Sequence, residues 1–247
     1  MILPIVYINY LIFYWKLESL LYVIPFFAIF FGSIFWIVKK SKKIIPNRKN
    51  NTAYEIKYTI TSFVIFFAIV FWYFKAYQNG MINFSFEFNI WSIVLGVLFV
   101  VFHDAYFYLV HRFLHTPFMM KYVHIVHHKS NPSNIWSSYS FHPIEALFYA
   151  WVSSIIFIFD VNIYALLFAT FYNDFFTILG HCWYELFDQK IKESWFYKYF
   201  ATTTYHDVHH SHNNGNIGLY FTYLDLIFKT KSKDSEKIFD KVCNYDK

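Results

Sequence analysis

Charged residues are scarce in this chain, and their scarcity excludes most soluble proteins. Only 15% of its 247 residues are charged, whereas 57% are hydrophobic and 26% aromatic. A soluble domain carries about 25% charged residues. The net charge of +5 forms no basic stripe on a soluble fold, so we expect no nucleic-acid partner. The composition predicts an integral membrane protein.

Cysteine is also rare, and two common metal motifs are missing. Cys182 and Cys243 do not form a CxxC pair, which excludes the usual thiolate zinc and redox motifs. No HExxH string is present, so the common arrangement of a zinc hydrolase, with its adjacent glutamate base, has no support.

Long apolar runs predict an all-α fold with four to five transmembrane helices. A span needs roughly 20 mostly apolar residues, and the candidates are residues 20–38, 58–74, 91–110, 144–159 and 162–179. The fourth is short, and we expect it to form a hairpin with the fifth. Residues 2–14 are too short to cross a membrane alone. We expect the charged tail, residues 229–247, to be loosely ordered.

Positive charges predict the orientation of these helices. Six cations lie in one short loop after the first candidate span: Lys39, Lys40, Lys42, Lys43, Arg48 and Lys49. The positive-inside rule places this loop in the cytoplasm. Counting the spans forward from there brings every histidine cluster to the cytoplasmic side, where a mostly helical cap is expected to carry it.

All twelve histidines lie between His103 and His212, and most of them fall into three boxes. The boxes are His111-x3-His115, His124-x2-His127-His128 and His206-x2-His209-His210, with His181 between the second and the third. Imidazole is neutral near physiological pH and is the commonest metal ligand. Residues three and four apart share a helix face, so each box should direct its nitrogens to one place. Nine or ten ligands suit two metal ions with four or five each.

Several functions could use such a site. Imidazoles suit zinc, copper, iron or nickel. Haem would leave the HxxHH pairs unexplained, and a transporter should carry its polar residues near the middle of the spans. A zinc hydrolase would need a carboxylate base, for which Glu145 and Glu185 are the candidates. A di-iron oxidase uses all the boxes, while a non-catalytic metal sensor or transporter and a zinc-dependent membrane hydrolase remain alternatives.

Order and spacing of the boxes resemble a known family. The motifs are HDAYFYLVHRFLH at 103–115, HIVHHKS at 124–130, FHPIE at 141–145, GH at 180–181 with Glu185, HDVHH at 206–210, NIG at 216–218 and DLIFKT at 225–230. Together they resemble the fatty acid hydroxylase/sterol desaturase superfamily over about residues 95–230. Lys229 and Leu224 depart from the pattern, which often has Gly and Trp there; neither departure removes a ligand.

This resemblance implies a non-haem di-iron membrane enzyme that uses O2 and external electrons to oxidise a C–H bond of a lipid. It divides the chain into an N-terminal transmembrane region (1–90), a catalytic region (91–230) and the tail (231–247). The expected ligands of the two irons are His111, His115, His124, His127, His128, His181, His206, His209 and His210. Hydroxylation and desaturation stay open, as does the choice among sterol, fatty acyl and related substrates.

Three carboxylates are expected to orient the ligands through hydrogen bonds to their imidazoles. Asp104 lies seven residues before His111 and hence on nearly the same helix face; Glu145 and Asp207 are comparable candidates. The roles of His103, His142 and His212 stay open. No cytochrome b5-like or ferredoxin-like domain is attached, so a separate electron donor of cytochrome b5, ferredoxin or reductase type is expected.

Overall fold

The computed structural model describes residues 42–44, 52–131, 133–213 and 215–244, and these residues are mostly helical. In chain order the elements are β1 Lys42–Lys43, α1 Thr52–Gln78, β2 Phe84–Ser85, α2 Ile90–Leu114, α3 Pro117–Met119, α4 Ile125–His128, α5 Pro143–Trp151, β3 Val161–Asn162, α6 Ile163–His181, β4 Tyr184–Glu185, α7 Trp195–Tyr199, α8 Thr203–His212, α9 Tyr223–Ile227 and α10 Asp234–Asn244. A π-helical turn spans Met120–His124, and turns of 3-10 helix span Ile135–Tyr139, Val152–Phe157 and Gln189–Glu193.

Among the described residues, α1, α2 and α6 are long and apolar enough to cross a membrane. They confirm the predicted helices at 58–74, 91–110 and 162–179. The predicted span 20–38 and the segment 2–14 lie outside the described residues. The predicted span 144–159 instead divides into α5 and a 3-10 turn, and is shorter than the other three. At the break Ser153 Oγ donates back to the carbonyl of Ala150, the kind of side-chain bond that competes with helix geometry.

Caps define where α2 and α6 begin, at the end of the bundle away from the histidine boxes. The side chain of Asn89 accepts from the backbone N–H groups of Trp91 and Ser92, and Asn162 does the same at the start of α6. Such caps satisfy N–H groups that the helix itself leaves open. Strands β2 and β3 pair in parallel at this end and tie the loops before the two helices together.

At the opposite end, the two helices deliver histidines. His111 lies in the last turn of α2 and His181 ends α6. The helices pack closely, since a Cβ placed on Gly96 would meet Phe168 Cδ1 at 2.9 Å. Strand β1 pairs antiparallel with β4, three residues beyond His181. Lys42 and Lys43 therefore lie at the histidine end of the bundle.

The expectation of a loosely ordered tail is wrong for residues 234–244. They form α10, which packs against α8 and buries Phe239, Val242 and Cys243. The helix is strongly amphipathic: its apolar residues recur three and four apart and face the protein, while its charges face outward.

Candidate metal centre

Nine histidines form two compact groups. The first contains His111, His115, His124, His128 and His209, and the second contains His127, His181, His206 and His210. Within each group the candidate ligand nitrogens all lie within 4.8 Å of one another. All nine are buried except His115, which is partly buried. These are the nine residues that the sequence singled out, in sets of five and four.

The second and third boxes each contribute to both groups, so the expectation that every box points to one place is wrong for these two. In the second box His124 and His128 join the first group and His127 the second. In the third box the pattern is reversed: the outer pair joins the second group, and the inner His209 joins the first. Adjacent residues on a helix point about 100° apart, so an HxxHH box naturally faces two sites. The two groups are neighbours, with the rings of His128 and His210 centred 4.9 Å apart.

Backbone carbonyls orient three of the imidazoles. Nδ1 of His111 is 2.7 Å from the carbonyl oxygen of Ile217, and His181 and His209 make the same bond with Thr177 and Gly215. A carbonyl oxygen only accepts, so each Nδ1 carries the hydrogen. In a neutral ring this leaves a lone pair on Nε2, which is directed into its group.

A second imidazole nitrogen faces each of these lone pairs. The Nε2–Nε2 distances are 3.1 Å for His111 and His124, 3.1 Å for His115 and His209, and 3.0 Å for His181 and His206. Two ligands at right angles around an ion with bonds of about 2.1 Å would be about 3.0 Å apart. The donor set and its spacing therefore fit a metal ion in each group.

Burial also holds these imidazoles in the neutral form that binds metal. Removal from water disfavours the imidazolium and lowers the pKa of His115 to about 3 and of His209 to about 4. The pKa values of His124, His128 and His210 lie well below the usual value for the same reason, with neighbouring imidazoles adding to the effect. No proton has to be displaced from such rings at neutral pH when a metal binds.

Of the three carboxylates expected to orient imidazoles, Glu145 does so. Its Oε1 lies 2.8 Å from Nδ1 of His124, and both side chains are fully buried. Burial raises the pKa of Glu145 well above its usual range. Because Pro143 and the cap residue His142 start α5 just before it, Glu145 lies in the first turn of a helix whose position is well defined.

The expectation for Asp104 is wrong. Its Oδ1 accepts from the backbone N–H groups of Tyr220 and Phe221, at 3.0 and 3.4 Å, while the imidazole of His111 uses the carbonyl of Ile217 instead. Asp104 thus anchors the loop that follows the third box and acts on the ligand only through it. Asp207 is buried on α8 and belongs to neither histidine group; its orienting role stays a prediction.

Asp225 is a site residue that was not predicted from the sequence. Its carboxylate accepts from the backbone N–H groups of Ile217 and Gly218 and from the hydroxyls of Tyr205 and Thr230. This places the Ile217 carbonyl that orients His111. Asp225 begins the DLIFKT motif, one of the motifs that resemble the family, and this position could have identified it.

Glu185 supports the helix that carries the third box. Its Oε2 accepts from the backbone N–H and the hydroxyl of Thr204, at 2.9 and 2.6 Å, and its Oε1 accepts from the N–H of Phe187. It therefore holds the first turn of α8, the helix that carries the third box.

The three remaining histidines lie outside both groups. The Nδ1 of His103 is 2.9 Å from the hydroxyl of Tyr220. His142 caps α5, accepting from the N–H of Ile144. His212 is exposed at the end of α8. Their positions favour structural or substrate-side roles over ligation.

A cavity of about 290 Å³ lies beside the metal centre, with walls from α1, α2, α5 and α6 that are almost entirely apolar. Phe107 and Phe141 line it at the histidine end. Their rings are centred 5.0 Å from that of His111 and 5.1 Å from that of His127, respectively. The cavity therefore ends one aromatic ring away from each histidine group and can hold an apolar molecule there.

Comparison with known proteins supports this interpretation. The family model described as fatty acid hydroxylase matches residues 96–230. The chain is 29% identical to the Delta(7)-sterol 5(6)-desaturase erg3C of Aspergillus fumigatus, over 56% of this chain and 48% of the relative. It is 31% identical to methylsterol monooxygenase 1 of Gallus gallus, over 65% of this chain and 54% of the relative.

The matched segments span about half the length of these relatives. No solved structure matches the chain. The family model covers more than half of the chain and contains all nine histidines of the two groups. The chain therefore belongs to the fatty acid hydroxylase family.

Proposed function

We propose that this chain is an oxygen-dependent di-iron membrane oxidoreductase that hydroxylates or desaturates a C–H bond of a lipid. The observation that carries the proposal is the pair of histidine groups at the end of an apolar cavity. The names of its relatives, a sterol desaturase and a methylsterol monooxygenase, favour a sterol or a related lipid as substrate.

The chemistry explains why a metal is needed. An unactivated C–H bond has no acidic proton and no leaving group, so acid–base side chains cannot break it. Bound iron would supply the oxidation, as metal cofactors generally do, while the protein supplies position and environment. Hydroxylation converts RH, O2, two electrons and two protons into ROH and water. Desaturation uses the same inputs, removes two hydrogens from the lipid and releases two waters.

The residues of this chain have separate tasks in that reaction. The five histidines of the first group would hold one iron and the four of the second group the other. Glu145 accepts a hydrogen bond from Nδ1 of His124 and keeps that ring turned inward. Phe107 and Phe141 line the cavity beside the ligands, where they exclude water and bring the lipid close to the metals.

We further propose that the metal centre faces the cytoplasm. The pairing of β1 with β4 brings Lys42 and Lys43 to the histidine end of the bundle, and lysine-rich segments next to a membrane span remain in the cytoplasm. Electrons would come from a separate donor of the cytochrome b5, ferredoxin or reductase type. His115, the one partly buried ligand candidate, lies nearest to solvent on that side.

Two alternatives have less support. A metal transporter should carry ligands along its path through the spans, but the two ligand candidates within the spans, His111 and His181, lie in their last turns. A zinc hydrolase needs a carboxylate base. Among the candidates, Glu145 pairs with His124 and Glu185 holds Thr204.

Metal analysis and Mössbauer spectroscopy test the proposal. The protein would be purified in detergent from cells grown with labelled iron, and oxygen uptake would be measured with a reductant and lipid extract. About two irons per chain in a magnetically coupled pair, with lipid-dependent oxygen uptake, are expected. Zinc that persists after reconstitution with iron, without oxygen uptake, would contradict the proposal and favour the hydrolase or the sensor.

A further inference from the structure

The wall of the apolar cavity carries a pair of polar side chains at one depth. His103 on α2 and Asn173 on α6 both line the cavity. Each lies eight residues before a metal-ligand candidate of its own helix, His111 and His181, respectively. Eight residues correspond to about 12 Å along a helix axis. The two side chains therefore lie opposite each other, about two turns below the metal centre.

A chain of hydrogen bonds determines which atoms of this pair donate. Asn173 Nδ2 donates to Asp174 Oδ1 at 3.3 Å, which turns the amide oxygen the other way. That oxygen accepts from the hydroxyl of Tyr220 at 2.7 Å. This bond uses the one hydrogen of the Tyr220 hydroxyl. Toward His103 Nδ1, which lies 2.9 Å away, the Tyr220 oxygen can only accept.

His103 is consequently protonated on Nδ1, and its Nε2 carries a lone pair. A neutral imidazole has one donor and one acceptor nitrogen. The donor nitrogen of His103, Nδ1, is bonded to Tyr220. His103 lines the cavity, whereas Tyr220 does not. Among the described residues no hydrogen bond is made to Nε2 of His103. An acceptor without a donor in an apolar environment is unfavourable, and a ligand that brings a donor would relieve this.

We propose that Nε2 of His103 accepts a hydrogen bond from a hydroxyl group of the lipid substrate, so that the enzyme selects lipid alcohols. A ketone, ester or ether oxygen has only lone pairs and cannot make this bond. This assignment rests on the proposed function, in which the cavity holds the substrate. It places the hydroxyl inside the bundle and the carbon to be oxidised between the hydroxyl and the metals. A fatty acyl chain with its headgroup at the membrane surface would place no donor there.

Binding measurements on zinc-loaded protein test this assignment without requiring turnover. The probes are cholest-7-en-3β-ol and its 3-methyl ether, and hexadecan-1-ol and its methyl ether, each titrated into the detergent-solubilised full chain. His103→Phe removes the acceptor. Phe99→Leu is the matched control, because Phe99 lines the cavity one turn earlier on the same face of α2 and carries no polar group. Thermal unfolding of each variant verifies that it is folded.

We expect the wild-type protein to bind at least one alcohol about tenfold more tightly than its ether, the usual effect of one hydrogen bond. His103→Phe should reduce this preference to about twofold or less, and Phe99→Leu should retain it. Equal binding of alcohol and ether by the wild type in both pairs would overturn the assignment, even if His103→Phe does not fold. So would a preference that survives in folded His103→Phe.

Oxygen uptake by the iron-loaded protein is measured separately, so loss of the alcohol preference and loss of the oxidase function are distinguishable.

Discussion

Helices α2 and α6 pass through two environments, and the two ends of each helix are organised differently. At the metal end the rings of His111 and His181 donate to backbone carbonyls, those of Ile217 and Thr177. At the cavity end His103 depends on a side chain, the hydroxyl of Tyr220. Backbone partners stay in place when side chains are exchanged. The metal geometry is therefore protected from substitutions that reshape the cavity, and one centre can serve different lipids.

The largest effect is expected at the metal end. His124→Ala removes a ligand candidate whose Nε2 lies 3.1 Å from those of both His111 and His128. Metal content should fall from two ions to about one per chain, and activity should fall by more than the 10–100-fold typical for loss of an outer partner of a ligand. Metal content is measured by mass spectrometry on purified protein.

His212→Ala is the matched control for this substitution, because His212 lies outside both groups and is exposed. Its metal content should equal that of the wild type. Retention of two ions by His124→Ala would show that the first group does not bind metal through His124.

A smaller effect is expected for Glu145→Gln. The substitution retains the shape of the side chain but replaces the carboxyl group that faces Nδ1 of His124 with an amide, which is a weaker hydrogen-bond partner. Metal affinity or activity should fall about 10–100-fold, measured by competition with a chelator. Glu193→Gln, on the exposed side of the 3-10 turn Gln189–Glu193, should have no effect. Unchanged affinity in Glu145→Gln would show that the carboxylate does not tune the ligand.

The stability of the metal-free protein should depend on pH because of the same histidines. The pKa of His209 is lowered to about 4, chiefly by burial, whereas a histidine in the unfolded chain titrates near 6.5. As the pH falls below about 6.5, the unfolded chain takes up protons first. The free energy of unfolding should therefore decrease by up to about 1.4 kcal/mol per pH unit for such a residue, until the folded protein also titrates near pH 4.

Above about pH 6.5, where both states are neutral, the stability should be independent of these groups. Thermal unfolding of metal-free protein from pH 8 to pH 5 measures this. A midpoint that does not change below pH 6.5 would contradict the buried, neutral state of the histidines.

The sequence predicted which histidines come together, but not the partners that orient them, for a physical reason. Ligation requires a specific residue type at a specific helical spacing, and both are visible in HxxHH. The division of a box between two histidine groups also follows from helix geometry, although one target per box was expected. The partner of His111 is a backbone carbonyl 106 residues away. Every residue has a backbone carbonyl, so the sequence does not show which one is the partner. Asp104 was assigned by helix face alone, yet the backbone of Tyr220 approaches it from a distant segment.

The smallest effect on the metal centre is expected from Phe99→Leu at the cavity end. Phe99 packs in the cluster around Ile156 and Val161 and lines the cavity three turns before His111. The smaller side chain enlarges the cavity and should cost about 1 kcal/mol of stability. Metal content should stay at two ions per chain, because the carbonyls of Ile217 and Thr177 that orient His111 and His181 are not displaced. Metal content is measured by mass spectrometry, as for His124→Ala. Loss of metal in this variant would show that the two ends are coupled through α2, and that the cavity cannot be reshaped independently of the centre.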